Sequence, residues 1–106
     1  MFDASKIDLV SVTGDGRTVE LHIVADASWT GSDADLMALQ QKINNYVGFA
    51  LDGELHATYP ETNGLGWRIV IDSHAGRPDE RSAQVIAQVA DGVRRYEGDL
   101  LISAAP

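Results

Sequence analysis

Cysteine is missing from this sequence, and proline and aromatic residues are scarce. Without cysteine the chain has no disulfide, no thiolate nucleophile and no cysteine-ligated zinc or iron–sulfur centre. Basic residues are also few: eight Lys and Arg stand against sixteen Asp and Glu, which gives a formal net charge of −8. Such a charge repels phosphate backbones and anionic lipid surfaces, so we expect neither nucleic acid nor a membrane as partner.

Long apolar runs are missing as well. No stretch approaches the roughly 20 apolar residues that a membrane span needs. The opening Met1–Lys6 shows no basic leader followed by an apolar run, so we expect a cytoplasmic protein. What is present is ordinary globular composition, with 44% hydrophobic and 23% charged residues. The 106 residues predict a single domain over 1–106.

The first part of the chain has the pattern of a β-hairpin. Lys6–Thr13 is rich in β-favouring residues, and Thr18–Asp26 alternates apolar and polar side chains. Between them, Gly14–Gly16 supplies residues that tolerate positive φ. The sequence therefore predicts two antiparallel strands, the second half-buried.

Three later segments have strand character. Trp67–Asp72 alternates clearly, and Leu100–Ser103 is a short apolar run near the end. Glu54–Tyr59 is compatible with a short strand that Pro60 would end.

Two segments have apolar residues at helical spacing. The first predicts a helix over Ser32–Leu51, with the Ser32 side chain as N-cap and Gly53 as a left-handed stop. The second helix is expected to begin within Arg77–Glu80 and to end at Gly98. Its buried stripe is predicted to comprise Ile86, Val89, Ala90, Val93 and Tyr96.

Each helix has one apolar stripe, so both are expected on one face of a single sheet. The sequence predicts an α+β two-layer sandwich in ββαβαβ order, with a mixed sheet of four to five strands. A ferredoxin-like variant also matches the order of elements counted from Thr18. The tight turn at Gly14–Gly16 argues against it, because that turn pairs the first strand with the second.

Every histidine stands two positions after a carboxylate: His22 after Glu20, His56 after Glu54 and His74 after Asp72. On a strand this spacing puts both side chains on one face, here the face away from the helices. Imidazole and carboxylate are suitable ligands for zinc or iron, and they also serve in acid–base catalysis. Polar residues on the solvent side of a sheet explain the same pattern, and we predict no metal, no cofactor and no catalytic residue.

Other reactive motifs are missing. None of the serines lies in a Gly-x-Ser-x-Gly context, which is the nucleophile turn of many hydrolases. Gly14-x-Gly16 and Gly64-x-Gly66 lack the lysine and the helix start of a phosphate-binding loop and are predicted to be turns.

Some side chains favour a contact with another protein. The first helix has a polar face that includes Gln41, Lys42 and Asn45, and Phe49 lies near Lys42 outside the apolar stripe. Apolar residues on the open side of the sheet would add to such a surface. We predict an interface built from His22, Val24, Asp26, Phe49, His56, Val70, Asp72 and His74.

Several segments carry a resemblance to a known family. They are Trp29, the helix segment Leu39–Phe49, Gly53-Glu54 and Tyr59-Pro60, and the most specific is Leu39-Gln40-x-Lys42-Ile43-Asn44-x-Tyr46. With these the chain resembles an uncharacterised family of short bacterial proteins, a domain of unknown function, over nearly its whole length. The resemblance implies a stand-alone small bacterial domain and supplies no activity, cofactor or catalytic residue.

The favoured hypothesis is a small acidic, non-enzymatic binding module, homodimeric through the open sheet face or the Phe49 side of the first helix. One alternative is a small metal-dependent or acid–base enzyme that uses the histidine–carboxylate pairs. Another is a regulatory or immunity-type protein whose negative surface docks on a basic partner.

Overall fold

The computed structural model describes residues 9–25, 29–62, 64–74 and 76–104. It contains four strands, three helices and one 3₁₀ turn within these ranges. In chain order they are β1 Leu9–Val12, β2 Thr18–Ala25, α1 Asp33–Leu51, α2 Glu54–Thr58, the 3₁₀ turn Pro60–Thr62, β3 Gly66–Ser73, α3 Glu80–Arg94 and β4 Leu100–Ala104. Lys6–Asp8 of the predicted first strand and Asp26 of the predicted second strand lie outside the described residues.

The four strands lie in the order β1-β2-β3-β4. β1 pairs antiparallel with β2 through the predicted hairpin, whereas β2–β3 and β3–β4 are parallel pairs. Each parallel pair is joined by a long helix, because parallel neighbours need a crossover connection. Helix α1 contacts β3 and α3, and α3 contacts β4, so both long helices lie on one face of the sheet. The prediction of an α+β two-layer sandwich with a mixed sheet is confirmed.

The core lies between the helices and the inner face of the sheet. Val19, Leu21, Ile23 and Ala25 are all fully buried, and they alternate along β2 with partly exposed residues. Ile69 and Ile71 of β3 are buried on the same side. The helices contribute Leu39, Ile43, Tyr46, Ala50, Ile86, Ala90 and Val93 to this cluster.

Helix α1 begins and ends as its sequence predicts. The Ser32 hydroxyl accepts a hydrogen bond from the Asp35 amide at 3.2 Å, and Gly53 has the left-handed φ of 91°. The prediction that Lys42 lies on the polar face is wrong, since Lys42 is only 2% exposed. Its ammonium lies 5.9 Å from the centre of the Tyr46 ring, and burial of its long aliphatic stem explains how it fits against the core.

Glu54–Tyr59 is where the predicted secondary structure is wrong. The segment forms the short helix α2, because the Asp52 side chain accepts from the Glu54 amide and Gly53 turns the chain into a new helical direction. Leu55 then packs into the core at 1% exposure. With a helix here, the sheet has four strands among the described residues, and the ferredoxin-like variant lacks a strand that it needs.

Helix α3 begins at Glu80, the last residue of the predicted Arg77–Glu80 start, so Pro78 lies before the helix and not in its first turn. Asp79 is the N-cap and accepts from the Ser82 amide and hydroxyl. At the other end the helical hydrogen bonds stop at Arg94, and Tyr96, predicted to be buried, is 57% exposed beyond the helix. The left-handed residue is Glu97, with φ of 65°, and not Gly98.

Candidate functional site

The face of the sheet opposite the helices is called the outer face below. Strand alternation and register place polar and apolar side chains on it in rows that run across the strands. One row crosses β1, β2 and β3, the second crosses all four strands, and the third crosses β2, β3 and β4. Their members are Ser11, Glu20 and Arg68; Leu9, His22, Val70 and Leu101; and Val24, Asp72 and Ser103.

Three of these side chains form a continuous hydrogen-bonded chain. The Ser11 Oγ lies 2.8 Å from Nε2 of His22, and Nδ1 of the same ring lies 2.7 Å from Oδ2 of Asp72. The side chains of His22 and Asp72 are 14% and 27% exposed. The imidazole is therefore held from both sides on a partly buried part of the sheet.

The register of the strands explains why these residues meet. His22 stands opposite Leu9 in β1, and Ser11 lies two residues further along that strand. On the other side His22 stands opposite Val70, and Asp72 lies two residues beyond it in β3. Diagonal neighbours two residues apart on the same face are within reach of long side chains.

The arrangement of atoms fixes what the imidazole can do. An ionised Asp72 carboxylate can only accept a hydrogen bond, so Nδ1 of His22 carries the proton. In the neutral ring Nε2 is then an acceptor, and the Ser11 hydroxyl donates to it. Serine hydrolases use the same order of atoms, in which a carboxylate orients a histidine that takes the proton of a serine.

A charge pair lies beside this chain. Nε and Nη2 of Arg68 lie 2.8 and 2.6 Å from Oε2 of Glu20, its direct neighbour across β2 and β3. The two side chains are 34% and 20% exposed. Glu20 is thus paired with arginine, and the carboxylate that contacts His22 is Asp72, which is 50 residues away in the sequence.

The other two histidines lie elsewhere. His56 is on α2, and its Nδ1 lies 3.0 Å from the Thr62 hydroxyl. His74 is exposed in the turn that follows β3. The expected sharing of one sheet face by the three histidine–carboxylate pairs is therefore wrong, because His56 lies on a helix. Within the described part of the chain, no three His, Asp or Glu side chains are grouped so that they could hold a metal ion.

The apolar residues of the predicted interface fall into two groups. Val24 and Val70 are on the outer face, where Val24 is partly exposed and Val70 is only 4% exposed. Phe49 is partly buried against the hydrophobic core, so the expectation that it projects from the polar face of the first helix is wrong. Asp26, the remaining predicted contact, is outside the residues that the structure describes.

Among the described residues, two carboxyl groups have a lowered pKa, and both serve local structure away from the outer face. The Thr13 hydroxyl and then the Arg17 amide lower the pKa of Asp15 in the hairpin turn. The Ser82 hydroxyl lowers the pKa of Asp79 at the start of α3. These shifts mark a turn and a helix cap.

Sequence reasoning missed Ser11 and Arg68 as members of the site. A signal for Ser11 was present, because a hairpin closed around Gly14–Gly16 puts Ser11 opposite Glu20 and diagonal to His22. The place of Asp72 depends on the parallel pairing of β2 with β3 across a long connection, which no local pattern reveals.

Comparison with known proteins adds family membership to this geometry. No helix among the described residues is both long enough and apolar enough to cross a membrane. No curated protein and no solved structure matches the chain. The model of one protein family matches residues 1–104, nearly the whole length. The chain belongs to this family, DUF6572, a family of unknown function.

Proposed function

We propose that the protein is a small interaction module that forms a homodimer through the outer face of its sheet. The carrying observation is that the polar side chains at the centre of this face are paired with one another. Glu20 bonds to Arg68, and His22 bonds to both Ser11 and Asp72. A second surface can cover such a face without leaving buried polar groups unpaired, which would cost about 1–3 kcal/mol each.

The charge distribution supports a second copy of the chain as the occupant. Two chains that each carry a formal charge of −8 repel each other across most of their surfaces. On the outer face the charges of Glu20 and Arg68 cancel, and Asp72 faces a histidine. Among the described residues this face therefore opposes self-association less than the chain's net charge suggests.

Apolar contact on this face comes from residues that the chain itself leaves partly uncovered. Leu9 is 53% exposed at the β1 edge, and Leu101 and Val24 are half-buried. Val70 is already covered and gains little from a partner. The interface is thus expected to centre on Leu101 and Val24, framed by the paired polar side chains.

Sedimentation equilibrium over a wide concentration range tests the dimer. The wild-type chain is expected to sediment as a dimer at high concentration. Leu101→Glu, which places an unpaired charge on the outer face, is expected to be monomeric. Met37→Glu is the matched control, because Met37 is 70% exposed on α1 on the other side of the molecule. A wild-type chain that stays monomeric at millimolar concentration would overturn the proposal.

Salt dependence separates this proposal from docking on a basic partner. An interface in which the charges of Glu20 and Arg68 cancel, and Asp72 leaves one net charge per chain, is expected to change little between about 50 and 500 mM salt, because few net charges are screened. Binding driven by the chain's negative charge would weaken steeply over the same range. Self-association that is lost with added salt, or that persists in Leu101→Glu, would count against the outer face.

A further inference from the structure

The hydrogen bonds of the outer face run in one direction from Ser11 through His22 to Asp72, and pairing of polar side chains alone does not require that direction. We propose that Ser11 is a nucleophile, activated by His22, that accepts acyl groups from small carboxylic acid esters. This inference goes beyond the proposed interaction module and does not depend on the dimer. It rests on the Ser11–His22–Asp72 hydrogen-bonded chain.

The direction of the hydrogen bonds makes Nε2 of His22 the base that faces Ser11. Asp72 holds the proton of His22 on Nδ1, which leaves Nε2 as the acceptor 2.8 Å from the Ser11 Oγ. This distance lies within the range over which a base removes a proton in hydrogen-bonded contact. A histidine held in the other tautomer would donate to Ser11 and could not act as its base.

The Ser11 hydroxyl is accessible to a small substrate. Ser11 lies on β1, one of the two edge strands of the described sheet, and its side chain is partly exposed. His22 behind it is 14% exposed, and a small ester or a water molecule can approach the hydroxyl from the edge. A dimer centred on β4 and the far end of β2 would leave this edge at the rim of the interface.

The reaction balances with these residues and water alone. The Ser11 Oγ forms a bond to the ester carbonyl carbon as its proton moves to Nε2 of His22. The carbon–oxygen bond to the alcohol then breaks, and the leaving oxygen takes the proton from His22. Water attacks the acyl-serine with His22 again as base, and the carboxylic acid leaves as Ser11 is restored.

An ion pair lies in the same row as the nucleophile. Ser11 stands opposite Glu20, and Arg68 stands opposite Glu20 on its other side. The guanidinium is 34% exposed and is paired with Glu20, so an ion pair and not a free cation lies in the row of Ser11.

The test is covalent labelling of the full-length chain by a fluorophosphonate, followed by intact mass measurement and mapping of the modified residue. The expected result is one adduct on Ser11, together with slow hydrolysis of 4-nitrophenyl acetate. Mapping on the wild-type chain needs no variant, so it remains decisive if a substitution unfolds the protein. No adduct on Ser11, or adducts spread evenly over the exposed serines, would overturn the proposal.

Variants then assign the roles. Ser11→Ala is expected to abolish the adduct, and His22→Gln to slow labelling by roughly 100-fold or more, since a general base contributes about 10²–10⁴. Ser103→Ala, an exposed serine on the same face, is the matched control and is expected to label normally. Labelling that is unchanged in a folded His22→Gln chain would show that His22 is not the base.

Asp72 acts through His22 and is a positioning residue. Asp72→Asn is expected to slow labelling at least tenfold, and Asp72→Glu to restore part of the rate, at similar thermal stability in the two variants. Equal rates in wild type and Asp72→Asn would remove Asp72 from the mechanism. Sedimentation and labelling are both measured on the wild-type chain, so a failed dimer and an unreactive serine give different results.

Discussion

At the C-terminal end of α3, substitutions at the adjacent residues Glu97 and Gly98 are expected to change the stability of the protein in opposite directions. The Gly98 amide donates to the Val93 carbonyl at 3.3 Å, and the Glu97 amide donates to the Arg94 carbonyl at 3.1 Å. This pair of bonds is the Schellman arrangement, in which the first residue past the cap is left-handed and usually glycine. Here that residue is Glu97, with φ of 65°.

Two opposing effects determine how much Glu97→Gly is expected to change the free energy of unfolding. A residue with a Cβ pays roughly 1–2 kcal/mol in the left-handed region, and glycine removes that cost. Glycine also increases the conformational entropy of the unfolded chain, which lowers the free energy of unfolding by about 0.4–1 kcal/mol. We therefore expect a net stabilisation of about 0.5–1 kcal/mol, or a rise in Tm of roughly 2–8 °C for a chain of this size.

Gly98→Ala is expected to do the reverse. A Cβ on Gly98 would lie 2.6 Å from Cζ2 of Trp67, whose ring is partly buried against the core. Displacing a packed indole is expected to cost about 1–3 kcal/mol. The glycine next to the left-handed position is thus required by a tryptophan ring in β3 and not by its own φ.

Urea and thermal unfolding followed by circular dichroism measure both changes. Glu97→Ala is the control, because it removes the carboxylate near the helix end while keeping the Cβ. It is expected to stay well below Glu97→Gly in stability. The reasoning is refuted if Glu97→Gly is no more stable than Glu97→Ala, or if Gly98→Ala unfolds like the wild type.

Two further changes test local polar contacts. The hydrogen bond from Ser82 lowers the pKa of Asp79, so the stability that this cap adds is complete above the unfolded pKa near 3.8 and is lost as pH falls through the lower folded pKa. Asp79→Asn, a cap that does not titrate, should lessen the loss of stability in urea titrations below about pH 4. Ser73→Ala removes the acceptor 2.8 Å from the Trp29 indole N–H and should cost roughly 1–3 kcal/mol by thermal unfolding, whereas exposed Ser103→Ala should cost under about 0.5 kcal/mol.

Local patterns predict the elements whose signals repeat along the chain. Thr18–Ala25 alternates in burial at every position, as its sequence predicts. Helix α1 has both its predicted cap at Ser32 and its predicted stop at Gly53. Each of these segments buries one face, so the spacing of its apolar residues indicates which side packs against the core.

Short segments carry too few residues for periodicity to decide. Glu54–Thr58 has five residues, and its helical state depends on the Asp52 side chain and on the left-handed Gly53 before it. The prediction for Lys42 is wrong for a different reason. A charged residue is expected to be exposed because of its charge, but the long aliphatic part of a lysine can pack against the core. In both cases tertiary contacts outweigh the local preference.

The candidate site shows the same limit of local patterns, here for contacts between residues on different strands. The spacing of Glu20 and His22 suggested that these two side chains pair, but each prefers a partner on another strand, Arg68 and Asp72 respectively. Residues at i and i+2 of one strand share a face yet point in parallel, while cross-strand neighbours approach more closely. Partner choice on a sheet is therefore set by register, and register between β2 and β3 is set by a connection of 40 residues, Asp26 to Leu65.

The hydrogen bonds that make the outer face suitable for docking also orient the imidazole, and the two roles differ in what they demand of Ser11. A structural hydroxyl only has to donate to Nε2, so its loss would cost about 1 kcal/mol and its reactivity would be that of any exposed serine. A nucleophile must release its proton to the same nitrogen when a carbonyl approaches, which requires the tautomer that Asp72 imposes. Glutamine in place of His22 keeps a donor and an acceptor but cannot take a proton from Ser11, so the labelling rate of His22→Gln, more than its stability, decides which role the network has.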